Sequence, residues 1–394
     1  MPEPMTGHRC ATDGKFLYVF GGYDNNEFEN GIWFEKQVNF ENQVIRDGNL
    51  RSKDEFSFRF QGKLKHHCCY QHGWKMNLET ESWTKILNHS EISPGVVNPR
   101  YVEIGAASGA FNIITQNTSN NAENVAFYVA GTNFPWQKCK SNVIAMKLDK
   151  NSDSLFAKTE FELPHKMYGH SSAFDHDNQK LYLFGGIAGL ADTENEDTMT
   201  GMENSNLVEW SNDFFAVDLH EKTVEKIETS QKNDQRSILN PDFDETYLYM
   251  NSPPEARMRA EMVYYDRKLF LLGGNSRTVT LGLDRIDYYD ILGKTWVKGV
   301  ETKPEEFAGI LDYPRPRCRF GHALYKKRYL FIVGGEDLGN SDGNLHKDCW
   351  RLDLKTLQWN FVANLPVATT FLSCAITDEG CLYRNLEHNS ECDF

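Results

Sequence analysis

The sequence predicts an all-β fold in which one four-stranded unit is repeated along the chain, and three observations carry that prediction. Five short apolar runs end in glycine: FLYVFGG (16–22), AFYVAG (126–131), KLYLFGG (180–186), KLFLLGG (268–274) and YLFIVGG (329–335). Each is followed by an alternating segment that turns through polar residues onto a large apolar side chain: MNLETESW (76–83), KLDKNSDSLF (147–156), VDLHEKTV (217–224), YDILGKTW (289–296) and LDLKTLQW (352–359). The third observation is composition. The chain of 394 residues is 13% aromatic, with 25 Phe and 17 Tyr, and such side chains suit pleated, half-buried surfaces.

Taken in chain order, one unit opens with a strand read from GHRCAT (7–12), YGHSSAF (168–174), RMRAEMVYY (257–265) or RFGHALY (319–325). The glycine-closed run is the second strand, because a short apolar run stopped by Gly-Gly reads as a buried strand ending in a sharp turn. Gly21, Gly22, Gly131, Gly185, Gly186, Gly273, Gly274, Gly334 and Gly335 are therefore expected where positive φ or close backbone approach excludes a Cβ. A hairpin supplies the third and fourth strands and buries Trp83, Trp296, Trp359 or a substitute between neighbouring sheets.

These glycine-closed strands and tryptophan hairpins resemble kelch repeats, which build β-propellers. The resemblance implies one propeller over residues 1–394, with units at about 7–86, 99–161, 164–229, 254–300 and 314–362 and a partial unit at 366–386. Loop insertions are expected at about 23–65, 112–124, 187–211 and 230–252, all rich in Asn, Asp, Glu and Ser. HHCCYQH (66–72) looks like a metal site, but it falls where the first unit needs its third strand. On a strand His66, Cys68 and His72 share one face and the intervening ligand types the other, and no second ligand pair is evident. A strand is the expectation, and no metal or cofactor is assigned.

Three stretches sharpen the resemblance: GHRCATDGKFLYVFGGY, PEARMRAEMVYYDRKLFLLGG and KDCWRLDLKTLQWNFVANLP, with the closing SCAITDEGCLY. They are similar to kelch proteins that act as substrate receptors of cullin-2 RING ubiquitin ligases. The resemblance implies a six-bladed propeller that captures the C-terminal tail of a client protein, and a helical box beyond it that binds elongins B and C and cullin-2. FLSCAIT (371–377) and GCLYRNL (380–386) read as the start of a last blade whose glycine pair and hairpin are missing. No apolar helical segment of the box type follows Tyr383. Recruitment of the ligase therefore stands open against a ligase-independent scaffold or inhibitor that binds proteins.

In kelch propellers the positions that reach the central mouth are the start of the first strand and the loop after Gly-Gly. The resemblance places there His8 and Arg9, Tyr101, Tyr168 and His170, Arg257 and Arg259, Arg317 and Arg319, and Arg277. Several arginines in an acidic protein point to a client carboxylate, since a guanidinium fork offers paired donors matched to its two oxygens. Tyr101, Tyr168 and Phe320 are the expected aromatic walls. The competing reading pairs each arginine with an acidic residue of its own blade. His8, His170 and His322 recur in first strands, where a repeated hydrogen-bonding role is expected.

A formal net charge of −14 disfavours non-specific attachment to nucleic acid or to anionic membranes. No run approaches the roughly 20 apolar residues that span a bilayer. MPEPMTGHRC lacks the apolar core of a signal peptide. Nine cysteines without any C-x-x-C read as reduced thiols, giving an expectation of cytoplasm or nucleus. No paired acid and base and no copper-ligand motif appears, so an enzyme is not expected.

Overall fold

The computed structural model describes residues 6–23, 72–88, 109–117, 122–131, 140–148, 154–189, 208–228, 252–307, 310–338, 344–377 and 380–384. Among them there is no helix, and the strands assemble into repeated four-stranded antiparallel sheets. No helix is long and apolar enough to cross a membrane. Close contacts divide the chain into two units, one built mainly from residues before Gly169 and one mainly from Gly169 to Arg384.

The first unit holds two blades. One runs Thr6–Thr12, Phe16–Tyr23, Gly73–Asn77, Trp83–Asn88; the other runs Ala110–Asn117, Ala122–Val129, Lys140–Leu148, Ser154–Tyr168. Their outer strands meet in parallel, Leu87 opposite Ser154 and Asn88 opposite Leu155. Phe16, Tyr18 and Phe20 alternate onto one face and pack with Phe111, Tyr128, Ile144 and Met146. Period-two alternation of large side chains thus fills the layer between the two blades. Residues 112–117 and 122–124, where the sequence reading expects a polar loop, lie in strands: Ile113 pairs with Ala126 and Ile114 with Val125, and the ladder continues to Asn117 opposite Ala122. Backbone pairing overrides the polar composition there. Of the expected insertions at 23–65, 187–211 and 230–252, residues 24–65, 190–207 and 230–251 lie outside the described residues, as do His66 to Gln71 of the HHCCYQH motif, while Tyr23, Ile187–Gly189 and Val208–Trp210 lie in strands.

The second unit holds three more blades. They are Ser171–Asp175, Lys180–Phe184, Phe214–Asp218, Thr223–Lys226; then Glu261–Tyr265, Lys268–Leu272, Arg285–Asp290, Thr295–Glu301; then Gly321–Tyr325, Tyr329–Val333, Asp348–Asp353, Gln358–Asn364. We call these the third, fourth and fifth blades. A two-stranded sheet follows, Cys374–Ile376 with Leu382–Arg384, where the sequence places the start of a last blade.

The tryptophans of the outer strands face back onto the preceding blade. Trp296 is 1% exposed and packs about Phe184 and Phe214 of the third blade, 5.1 Å between ring centroids in each case. Trp359 is fully buried, and its indole N–H donates to the Leu283 carbonyl at 3.2 Å and to Thr302 Oγ1 at 3.1 Å. Trp83 is only half-buried. Burying such a ring contributes roughly 1.5–3 kcal/mol at each of the two seams that Trp296 and Trp359 fill.

The glycines have a second task. All nine predicted positions have positive φ, and in four of the five runs the last glycine donates its N–H to a backbone carbonyl on the segment that leads into the next blade, which for Gly131 is the end of the second blade's long outer strand. Gly131 reaches Met167 O at 2.9 Å within the first unit, while Gly186 reaches Arg257 O at 2.8 Å, Gly274 Arg317 O at 3.0 Å and Gly335 Thr369 O at 2.8 Å within the second. The approach leaves no room for a side chain: a Cβ on Gly274 would lie 2.9 Å from Ala260 N. This is why the run must end in glycine rather than in any small residue.

Candidate functional site

In the second unit the glycine-closed runs and the beginnings of the first strands lie at the same end of each blade, because those two strands are antiparallel. The segment before each first strand crosses this end: Pro-Glu-Ala-Arg-Met-Arg before the fourth blade, Pro-Arg-Pro-Arg-Cys-Arg before the fifth. Each ends in an Arg-x-Arg pair, Arg257 with Arg259 and Arg317 with Arg319, the second preceded by Arg315. The structure gives them different work.

The first arginine of each pair is buried. Arg317 Nη1 and Nη2 donate to Asp348 Oδ1 and Oδ2, both at 2.8 Å, Nη1 also reaches Gly334 O at 2.9 Å, and Nε reaches Arg315 O at 3.0 Å. Arg257 repeats the theme with Nη2 on Asp287 Oδ2 at 2.8 Å and Nε on Glu255 O at 3.3 Å. Burial pushes the Asp348 carboxyl up. The paired bonds and charge of Arg317, with the Trp350 N–H, outweigh that and hold it below its ordinary value. These ion pairs join the start of a first strand to the start of the third strand of its own blade. They are scaffolding, in line with the pairing alternative.

The second arginine of each pair sits on a run of backbone hydrogen bonds that passes from blade to blade. Gly169, Arg259, Arg319 and Phe371 all have positive φ, between 55° and 65°. Arg259 N donates to Gly169 O at 2.7 Å, Arg319 N to Arg259 O at 3.3 Å, and Phe371 N to Arg319 O at 3.0 Å. Left-handed backbone at a non-glycine residue costs of order 1–3 kcal/mol. The side chains that bear this cost converge: the Arg259 guanidinium carbon lies 5.3 Å from the Phe371 ring centroid and that of Arg319 lies 4.1 Å from it. Two cations thus rest against one aromatic ring. Arg319 also pairs with Glu336, the residue directly after Gly335. On the neighbouring first strands His322 Nδ1 lies 2.9 Å from Glu261 Oε2.

The other expected site residues are dispersed. Arg277 is exposed on the loop after Gly274, whose Ser276–Val279 turn closes by a backbone bond of 2.9 Å. His170 is buried at the start of the third blade. Phe320 is 1% exposed and sits in the apolar layer with Leu330, Ile332 and Trp359, so it is a core residue, not an aromatic wall; it follows the left-handed turn at Arg319 and precedes the strand at Gly321. In the first unit Tyr168 closes a strand as a buried residue, His8 is buried opposite Gly21, and Arg9 Nε donates to Gly109 O at 2.8 Å. Tyr101 lies outside the described residues. Among the described residues no group of three or more His, Cys, Asp or Glu is placed to hold a metal ion.

Phe371 was not among the expected walls. The sequence reads it as the first residue of a strand, whereas the strand begins at Cys374. Its signal is positional: it stands two residues after Thr369, as Arg319 stands two after Arg317 and Arg259 two after Arg257.

Comparison with known proteins gives this geometry a family. The KLHDC2/KLHL20/DRC7 Kelch-repeats domain matches residues 116–379. Kelch domain-containing protein 10 of Homo sapiens is 23% identical over 384 residues, and that of Xenopus tropicalis 24% over 387. The Kelch domain-containing protein 10 homolog of Drosophila melanogaster is 25% identical over 401. Each alignment takes in 97% of this chain, which spans 66%, 71% and 51% of those relatives.

Proposed function

The chain belongs to this kelch-repeat family and has its β-propeller fold, and we propose that its role is to capture client proteins by their C-terminal tails as the substrate receptor of a cullin-2 RING ubiquitin ligase. It is a kelch protein-interaction module. The carrying observation for the finer reading is the Arg259–Phe371–Arg319 cluster. Two guanidinium groups against one ring offer forked donors for a carboxylate and an apolar shelf for the side chain before it. Arg257 and Arg317, two residues before the cluster's arginines, are each fixed to an aspartate of their own blade. In this reading the chain binds and presents; it performs no chemistry and needs no cofactor. It works in the cytoplasm or nucleus, where elongins B and C and cullin-2 would complete the ligase.

Affinity purification of the tagged chain from cells, scored for elongins B and C and cullin-2, tests the ligase half. Their recovery in step with the chain is the expected result. Recovery of protein clients alone would make the chain a ligase-independent binder and overturn that half. An Arg259→Gln/Arg319→Gln variant tests the capture half in the same experiment: it should lose the clients and keep the ligase subunits.

A further inference from the structure

At the opposite end of the same strands the second unit carries a charge pattern at odds with the protein as a whole. The hairpin turns of the fourth and fifth blades bring together Arg267, Lys268, Lys294, Lys326, Lys327, Arg328 and Lys355 against Asp266, Asp290 and Asp353. Seven cations face three carboxylates in a chain whose net charge is −14. Two of the carboxylates serve the turns themselves: Asp290 Oδ1 accepts from Leu292 and Gly293 N–H, and Asp353 accepts from Lys355 N–H and pairs with Arg328.

Tight-turn chemistry does not explain these residues. The Tyr325–Arg328 turn, closed by Arg328 N on Tyr325 O at 3.0 Å, places Lys326 and Lys327 at φ 49° and 51°. The Tyr265–Lys268 turn does the same with Asp266 and Arg267 at 47° and 61°. Two successive positive φ values are the type I′ pattern, which strongly favours Asn-Gly or Asp-Gly. Adjacent exposed lysines are a poor choice on conformational and on electrostatic grounds. The local fold would be better served by other residues, so the presence of two lysines there calls for a reason outside the turn.

The cations are also held in place. Lys326 Nζ lies 4.8 Å from the Tyr325 ring centroid, Lys268 Nζ 5.0 Å from Tyr288, and the Arg328 guanidinium 5.0 Å from Tyr329. A cation laid on a ring has less freedom to lose when a partner arrives. Lys327 is close enough to the third-blade turn that, after burial, its charge is the next influence keeping His176 below the usual imidazole range. That turn already carries Asp175 and Asp177, the latter accepting from the Tyr264 hydroxyl of the fourth blade, so the basic island ends there and the surface stays acidic at Asp218 and Glu221.

We propose that this face, centred on Arg267, Lys326 and Lys327, is a second protein-docking surface that takes an acidic peptide segment of a partner, separately from the tail-binding arginines at the other end of the blades. A short acidic segment matches the size of the basic island. A nucleic-acid backbone or a membrane would extend past it onto acidic surface and be repelled.

The test uses the full chain and a fluorescein-labelled peptide rich in Asp and Glu, amidated at its C-terminus so that the carboxylate site cannot hold it. Binding is read by polarisation at low and at physiological salt. Wild type should bind, and more weakly as salt rises. Lys326→Asn/Lys327→Gly should weaken binding about tenfold while melting at or above the wild-type temperature, since it improves the turn. Lys222→Asn, which alters a positive-φ lysine of the third blade, should leave binding unchanged. The proposal fails if wild type ignores the peptide or if the Asn-Gly variant binds like wild type. It fails equally if a DNA duplex or phosphatidylserine vesicles are bound more tightly than the peptide.

Discussion

Arg317 and Asp348 meet through two parallel N–H···O bonds, both 2.8 Å, with the arginine side chain wholly buried. Removing one partner leaves the other charge uncompensated. Asp348→Ala should therefore destabilise the protein by about 3–5 kcal/mol, read as a lower denaturant midpoint at unchanged slope. The same substitution at Asp353, whose partner Arg328 lies at the surface, should cost less than about 1 kcal/mol. Equal losses at the two sites would remove the distinction between scaffold and surface pairs.

The two seam tryptophans are not equivalent. Trp359 donates to Leu283 O and Thr302 Oγ1, whereas the buried Trp296 indole N–H has no hydrogen-bond partner among the described residues. Replacement by Phe costs packing at both positions. At 359 it also strips two buried acceptors of a donor, so Trp359→Phe should cost about 1–3 kcal/mol more than Trp296→Phe. Thermal unfolding of the two variants side by side measures the difference.

Gly274→Ala places a Cβ 2.9 Å from the Ala260 backbone nitrogen at φ +93°. The conformation alone costs of order 1–3 kcal/mol, and the clash strains the bond to Arg317 O that joins the fourth and fifth blades. A drop in melting temperature is expected. Gly299→Ala, at positive φ but with open space around it, should cost visibly less.

Acid should act in two steps. Burial, and then the charge of Arg317, keep His346 below the ordinary imidazole value of 6.5. As pH falls below about 6.5 the unfolded chain takes up that proton before the native state does, so stability begins to decline there. Asp353 is held at about 2, against 3.8, chiefly by its bonds to Arg328. Its contribution is intact above about pH 4 and disappears as pH falls toward 2. Urea midpoints across this range should show both limbs, and His346→Gln should shrink the first, leaving the part that His176 supplies.

The scaffold was legible in the sequence because it is local. KLFLLGG and YLFIVGG carry strand, turn and blade-to-blade bond within seven residues, and the hairpins that end in Trp296 and Trp359 state their own turn chemistry. The site was only half legible. Arg257 and Arg259 look alike in RMR, as do Arg317 and Arg319 in RCR, because what separates them lies far away in sequence. The partners of the buried pair, Asp287 and Asp348, are 30 and 31 residues downstream, past a loop of variable length. Phe371 was hidden for a related reason. It belongs to the run of backbone bonds by position and not by residue type, its counterparts being one glycine and two arginines.

The central claim is that Arg259, Arg319 and Phe371 hold a C-terminal carboxylate. It is met most directly by offering the immobilised protein a pool of synthetic peptides with randomised final residues, half with free C-termini and half amidated, and identifying what is retained. The retained peptides should carry free carboxylates, and Arg319→Gln should reduce their recovery at least tenfold, the loss of one charge-assisted contact, with both proteins held well below the variant's melting temperature, which falls because buried Glu336 loses this ion-pair partner. Retention of amidated and free peptides in equal measure, or full retention by Arg319→Gln, would contradict the assignment.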